Sequence, residues 1–391
     1  MKTWILGLGV SGRAAAKFLL SRGERVVGWD AKKVTPPEGV ELAEEPTFQE
    51  AKAVVYSPGM PPNHPLLERA RALNLPVIGE IDLGLRHFSG PSVAITGTNG
   101  KTTVTELVAH ALCFAGKPAD AVGNNGVAFT EWLLTNPAGK IAVCELSSYQ
   151  LETLGYKNFI RGVILNIAED HLDRYGTMEA YTAAKLRLGE CGPLYVHPNL
   201  KVNYPSYLDF AAALNLTPPF NFEKENLIAA YCLVEPFGVD PKTFLAAAQT
   251  FKKPPHRLEF VRSLRGVDYY NDSKGTNVDA VLRAVESFNR PVVLIAGGKD
   301  KGGSYEPWRA AFSGKVKGCV LIGEAKEKIA RAIEGICPTY NAETLIDAVR
   351  QAEAIASAPD VVLLSPGCAS FDMFENFGDR GNQFVQAVSR I

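Results

Sequence analysis

Residues 97 to 103 read GTNGKTT, which sets Lys101 and Thr102 behind two glycines directly after the apolar run VAIT. A loop of this kind, opening a helix, aims backbone N–H groups at phosphate. Its lysine reaches the β and γ oxygens and its threonine hydroxyl ligates magnesium. Gly97, Thr98, Asn99, Gly100 and Thr103 complete the cradle. Only the short form GxxGKT is present, because Ile95 stands where the longer P-loop pattern places its first glycine. A bare turn and helix cap therefore stays open beside the phosphate reading. Two more chemically capable side chains follow predicted strands. Glu145 closes IAVCEL, and His171 lies in NIAEDHLDRYG after GVILNI, so both are expected at the carboxyl edge of the sheet that carries the loop. For His171, with Glu169 and Asp170 beside it, a ligand role and an ordinary structural role both remain open.

A second glycine loop opens the chain. GLGVSG supplies Gly7, Gly9 and Gly12 between a predicted strand and a helix, and Asp30 ends the next strand eighteen residues later. That is the dinucleotide fingerprint: glycines admit a pyrophosphate to a helix N-terminus, and the acid accepts hydrogen bonds from ribose hydroxyls. NAD or FAD, another nucleotide, and a tight structural turn all fit it. SPGM, Ser57 to Met60, also follows a strand end, so one sheet edge would border a ligand on two sides.

These residues need elements to hold them, and the chain alternates strand-like and helical runs three times over. WILGLG, a helix from Arg13 to about Ser21, RVVGWD, AVVYSPG and LPVIGE make the first series. After RHFSGPS come VAITG and TTVTELVAHALCFAG, in which Val104, Leu107, Val108, Ala111 and Leu112 recur at helical spacing up to Gly116. IAVCEL, GVILNI and a helix after Gly176, capped by Thr177, continue that series before it loosens into NYPSYLDF and LTPPFNFEKEN. The prolines of KKPPHR mark another break, and beyond it follow PVVLIAGG, GCVLIGE, helices over 325–334 and 343–356, DVVLLSPG and a last helix. The expectation is an α/β chain of three domains in series, 1–90, 91–254 and 255–391, each with a mostly parallel sheet. The first is Rossmann-like, the central one P-loop ATPase-like and the third Rossmann-like.

Composition excludes several classes. Lys plus Arg number 41 against 42 Asp plus Glu, a net charge of -1, so no bulk field draws the chain to nucleic acid or an anionic membrane, and phosphate binding must be local. The seven cysteines show no CxxC, which argues against a disulfide framework or zinc knuckle and fits the cytoplasm. MKTWILGLGVSG reads as a first strand, not a signal peptide, and no run approaches the length of a membrane span.

Eight motifs taken together resemble the Mur ligases of peptidoglycan synthesis: GTNGKTT, ELSSYQLE, NIAEDHLDRYG, YTAAKLR, PHRLE, NDSKGTN, GGKDKGG and SPGCASFDMFENFGDRG. The NDSKGTN, SPGCASFD and GLGVSG forms point to the branch that adds D-glutamate to UDP-N-acetylmuramoyl-L-alanine. The resemblance implies that the first domain holds the UDP part of the substrate, not NAD, through Val10, Ser11, Gly12, Asp30, Lys32, Ser57, Pro58 and Gly59, with Asn124 and His171. It implies ATP on the loop at 97–103, with Asn226, Arg257, Asp272 and Lys274 as further contacts. Two magnesium ions would be held by Thr102, Glu145, His171 and Lys185. Lys185 reads from sequence as a solvated helix lysine; the resemblance makes it a carbamate, whose anionic oxygens suit a hard cation. Thr276, Lys301, Ser370 and Phe377 match positions around D-glutamate. Lys101, Glu145, His171, Lys185 and Lys274 are the implied catalytic set. The implied reaction is carboxylate–amine ligation through an acyl phosphate by a cytoplasmic monomer, with the third domain closing on linkers near 90 and 254. Another amino acid as substrate, a folylpolyglutamate synthase, an NAD-dependent oxidoreductase with an NTPase module, and a regulatory P-loop switch are the alternatives.

Overall fold

The structure is a computed structural model that describes residues 1–218 and 221–391. Pro219 and Phe220, part of the run expected to be irregular, lie outside the described residues. Three parallel or mostly parallel sheets organise the rest.

The first sheet is built from β1 (Lys2–Leu6), β2 (Val26–Trp29), β3 (Glu41–Leu42), β4 (Ala51–Tyr56) and β5 (Val77–Gly79), ordered β3-β2-β1-β4-β5. Strand order reverses between β1 and β4, and ligands of open parallel sheets settle outside the carboxyl ends at such a point. GLGVSG follows β1 and SPGM follows β4, so both loops flank it. The helix Val10–Ser21 buries Ala14, Ala15, Ala16, Phe18 and Leu19 against this sheet's core, its small residues permitting close approach.

The second sheet has β6 (Ser92–Thr96) at its centre, between β8 (Ile141–Glu145) and β9 (Arg161–Ile164). β7 (Ala119–Gly123) and β10 (Leu194–Val196) form its edges. The helix Lys101–Phe114 leaves β6 and buries Val104, Leu107, Val108, Ala111 and Leu112, the face its periodicity predicts. Each such Val or Leu contributes roughly 1.5–3 kcal/mol by leaving water. Part of the stretch expected to be irregular is regular: Tyr207–Leu214 forms a 3-10 helix and Phe222–Val234 an α-helix. The second starts where the Asn221 side chain accepts from the Lys224 N–H at 2.9 Å, with Glu223 and Glu225 in the first turn favoured by the helix dipole.

The third sheet is ordered β11-β12-β16-β13-β14-β15, from β11 (Glu259–Leu264), β12 (Val267–Asn271), β13 (Val292–Gly297), β14 (Val316–Ile322), β15 (Thr339–Asn341) and β16 (Val361–Leu364). All its pairings are parallel except the β11–β12 hairpin. Sequence periodicity did not pick out that hairpin; its turn, Arg265–Gly266, has positive φ at both residues, 52° and 81°.

The three sheets fall within 1–90, 91–254 and 255–391, and we keep those boundaries as a proposal. Compactness divides the chain differently. Met1–Ile167 with Glu179–Phe251 make one unit, holding the first two sheets, and Ala168–Met178 with Lys252–Ile391 make the other. No helix among the described residues is long and apolar enough to cross a membrane.

Candidate active site

In the larger unit the loop after β6 is held from several directions. Gly97 has φ of 149°, and a side chain there would meet Asn166 backbone atoms at 3.3 Å, so the loop can lie this close to the β9 segment only as glycine. Asn166 completes the clamp: its Oδ1 accepts from the Asn99 N–H at 2.8 Å and its Nδ2 donates to the Asn99 carbonyl at 3.0 Å. Thr98 is buried, with its hydroxyl 3.1 Å from that of Tyr181. Thr102 is buried and Thr103 half-buried on the first turn of the helix that begins at Lys101.

Two ammonium groups meet at one carbonyl oxygen of this loop. Lys101 Nζ donates to Gly97 O at 2.8 Å and to Thr98 O at 2.9 Å, and Lys185 Nζ donates to the same Gly97 O at 2.9 Å. Lys185 is 1% exposed and sits 4.7 Å from the Tyr181 ring centroid, so the solvated lysine expected from sequence is corrected to a buried one. The helix Met178–Leu186 turns that face inward. Like charges placed together in a protein interior favour an incoming anion or the conversion of one amine to an anion.

Glu145, at the end of β8 beside β6, is 2% exposed. Its Oε1 accepts from Asn124 Nδ2 at 2.9 Å, whereas its buried Oε2 has no hydrogen-bond partner among the described residues. An orphaned carboxylate oxygen near a threonine-bearing phosphate loop fits a hard cation, and burial together with the Glu145 charge also raises the pKa of Glu106. Among the described residues no group of three His, Cys, Asp or Glu side chains is placed to hold a metal ion by itself, so an ion beside Glu145 would need other oxygens such as the Thr102 hydroxyl and phosphate. Asn226 is buried on the helix Phe222–Val234.

At the first sheet's switch point, Asp30 binds the loop itself: Oδ2 accepts from the Leu8 N–H at 2.7 Å and Oδ1 from the Lys32 N–H at 2.9 Å. Its first task is thus to shape GLGVSG. Gly12 is required by contact, since a Cβ there would lie 1.8 Å from the Gly7 carbonyl oxygen. Gly7 in turn abuts Ser57, which joins the two loops. Val10 is 75% exposed, Gly9, Lys32 and Gly59 are exposed, and Ser11, Ser57 and Pro58 are half-buried around the opening.

In the smaller unit the loops after β12, β13 and β16 lie at one sheet edge. Arg380, fully buried, ties two of them: it donates to Ser273 Oγ at 3.0 Å, to Ser273 O at 2.8 Å and to Cys368 O at 3.2 Å. Burial lowers its pKa to about 10, which leaves it charged at neutral pH. Nothing in its spacing announces this brace, although it lies in the segment ending FGDRG. Asp272 is buried with Oδ2 accepting from the Ser365 hydroxyl at 2.7 Å. Burial pushes its carboxyl up to about 7, against the opposing pull of that hydroxyl and of the Arg257 charge. Lys274 Nζ stands 3.7 Å from the Phe377 ring centroid, a cation–π contact. Thr276 is half-buried and Ser370 buried, on the β12 and β16 loops. Lys301 Nζ pairs with Asp170 Oδ1 at 3.1 Å. His171, in the left-handed conformation with φ of 55°, lies 3.7 Å through Nε2 from Asp170 Oδ2. Its segment belongs to the smaller unit, a grouping that its position after β9 did not suggest.

Three family models match this chain in order: the Mur ligase MurD-like N-terminal domain over residues 1–79, the Mur ligase middle domain over 95–195, and the Mur ligase glutamate ligase domain over 256–368. The chain belongs to the Mur ligase family, with a MurD-like first domain. It is 43% identical to a UDP-N-acetylmuramoylalanine–D-glutamate ligase of Protochlamydia amoebophila, across 100% of this chain and 98% of the relative. A relative of the same name from Syntrophus aciditrophicus is 36% identical over 98% and 96% of the two chains. The fold is similar to that of MurF ligase from Thermotoga maritima in complex with ADP, with TM-score 0.61, 14% identity and coverage of 99% and 94%.

Proposed function

We propose that this chain joins the amine of D-glutamate to the alanyl carboxylate of UDP-N-acetylmuramoyl-L-alanine at the expense of ATP, in peptidoglycan precursor synthesis. The family is one of ATP-dependent amide ligases, and the relatives' names supply the two substrates. The observation that carries the chemistry is the meeting of Lys101 and Lys185 on Gly97 O, in a sheet that also presents an orphaned Glu145 oxygen. In our reading the half-buried Lys101 ammonium serves phosphate, and the buried Lys185 beside it is the amine that becomes the carbamate.

The γ-phosphoryl of ATP passes to a carboxylate oxygen of the alanyl group, ADP leaves, and the mixed anhydride activates the carbonyl carbon. The D-glutamate ammonium gives one proton to water, its amine adds to that carbon and gives a second proton to water, and phosphate departs with the carboxylate oxygen it had gained. Such chemistry needs positioning and charge neutralisation more than covalent help. In our reading, the N–H groups of Gly97 to Thr103 and Lys101 orient the triphosphate, with Asn226, Arg257, Asp272 and Lys274 as further nucleotide contacts. Thr102, Glu145 and Lys185 as its carbamate are ligands for magnesium, and His171 is proposed as a metal ligand too. Bound magnesium would neutralise phosphate charge. Val10, Ser11, Gly12, Asp30, Lys32, Ser57, Pro58, Gly59 and Asn124 hold the UDP group, with His171 also proposed there; Thr276, Lys301, Ser370 and Phe377 receive D-glutamate. A cytoplasmic location belongs to the same proposal.

The test is phosphate release with ATP, magnesium and UDP-N-acetylmuramoyl-L-alanine, scanned over D-glutamate, L-glutamate, L-lysine and meso-diaminopimelate. Stimulation by D-glutamate alone is expected. Stimulation by a different amino acid would reassign the substrate, and binding of reduced nicotinamide without amino-acid-dependent turnover would overturn the ligase.

A further inference from the structure

Asp170 lies in the motif NIAEDHLDRYG, and the smaller unit places it in a charged cavity. The lining includes Glu169, Asp170, Asn277, Asp300, Lys301 and Tyr305. Most of it lies in the span matched by the glutamate ligase domain, so an acidic amino acid is the ligand class indicated. Three of these side chains are carboxylates and one is an ammonium, an odd balance for a site that must admit two carboxylates.

The odd balance resolves when each acid's partners are followed. Asp300 is neutralised from outside the cavity by Lys328 at 2.7 Å and also takes the Tyr305 hydroxyl at 3.1 Å. Glu169 accepts the Ser304 N–H at 2.8 Å, which pins the β13 loop. Asp170 differs: its side chain is 8% exposed, Oδ1 meets the Lys301 ammonium at 3.1 Å, and Oδ2 meets the Asn277 amide at 3.3 Å. Lys301 therefore has a carboxylate partner before any ligand arrives, and an ammonium has three donors, enough to keep Asp170 while taking a second carboxylate. Oδ1 accepts from Lys301 and from the His171 N–H at 3.0 Å, and Oδ2 from Asn277; a ligand ammonium is the same kind of charged donor as Lys301.

We propose that Asp170 is the residue that reads the α-ammonium group of the incoming amino acid, while Lys301 beside it takes a carboxylate. The pair distinguishes an amino dicarboxylic acid from a plain dicarboxylic acid: Asp170 attracts the first through its ammonium and repels the second. This rests on the assignment of the amino-acid site to Lys301 and its neighbours. Charge-assisted hydrogen bonds in a partly desolvated site are the strong ones, so the discrimination should reach about tenfold or more.

The experiment compares D-glutamate with glutarate, which lacks only the amine, in the phosphate-release assay on the full chain. It reads the KM for D-glutamate and the inhibition constant of glutarate, for wild type, D170N and D170E. In the wild type glutarate should bind at least about tenfold more weakly than the KM for D-glutamate. D170N should raise that KM by about tenfold while glutarate inhibition stays level or strengthens, and D170E should restore part of the gap. If D170N weakens both ligands alike, Asp170 only props up Lys301 and the proposal falls. If wild-type glutarate inhibits as well as D-glutamate binds, it falls without any variant. Absence of D-glutamate-dependent turnover in the wild type would instead overturn the parent reading.

Discussion

At the scale of single residues, the magnesium role proposed for Glu145 would set stability against function. A buried carboxylate oxygen without a partner costs free energy that an amide would not incur to the same degree. E145Q should therefore raise thermal stability by roughly 1 kcal/mol or leave it unchanged, while turnover falls by roughly a hundredfold and the magnesium requirement rises. A variant that loses stability and keeps turnover would show that Glu145 is only a brace for Asn124. Asp272 gives a pH signature. Because burial raises its pKa from 3.8 to about 7, its contribution to stability is whole below about 3.8 and is lost as pH climbs through about 7. Unfolding free energies from denaturant titrations should fall between about pH 5 and about pH 8 by roughly 2–3 kcal/mol more in wild type than in D272N. Parallel profiles for the two proteins would contradict this.

At the scale of elements, the two opening glycines separate shape from binding. A Cβ at Gly12 would strike the Gly7 carbonyl oxygen at 1.8 Å, whereas one at Gly9 meets nothing within 4 Å. G12A should destabilise the first sheet by roughly 3 kcal/mol or more. G9A should keep its stability within about 0.5 kcal/mol yet raise the KM for the UDP substrate, since the second glycine lets a pyrophosphate approach. Equal melting points for both variants would remove the packing argument. Much of this level was legible in the sequence, because period and turn chemistry are local: the helix after GTNGKTT buries the residues its spacing names. What lay hidden depends on partners distant in sequence. Lys185 looks solvated until Gly97 O and the Tyr181 ring are beside it, the bond from the Leu8 N–H to Asp30 is invisible in the sequence, and Asp170 has no assignable role until Lys301 arrives from 131 residues away.

At the scale of the whole molecule, a net charge of -1 leaves affinity for phosphate to local devices, and the larger unit holds the two loops proposed for that role on separate sheets. Three α/β repeats of the alternation were readable from strand and helix periods, but the grouping of Ala168–Met178 with the C-terminal sheet was not, since compactness is set by contacts and not by chain order. We propose that the chain acts alone: light scattering should return a mass of 42.3 kDa, and twice that mass would contradict it. On the proposed reading, the two phosphate-type loops answer to a reaction with two nucleotide substrates, one carried as a handle and one consumed. The most direct test of that account labels the carboxylate of UDP-N-acetylmuramoyl-L-alanine with oxygen-18 and follows the label during turnover with ATP and D-glutamate. Activation of the carboxylate by phosphoryl transfer predicts that each phosphate released carries one labelled oxygen, and that its release depends on D-glutamate. Unlabelled phosphate, or labelled phosphate released at the same rate without D-glutamate, would contradict it.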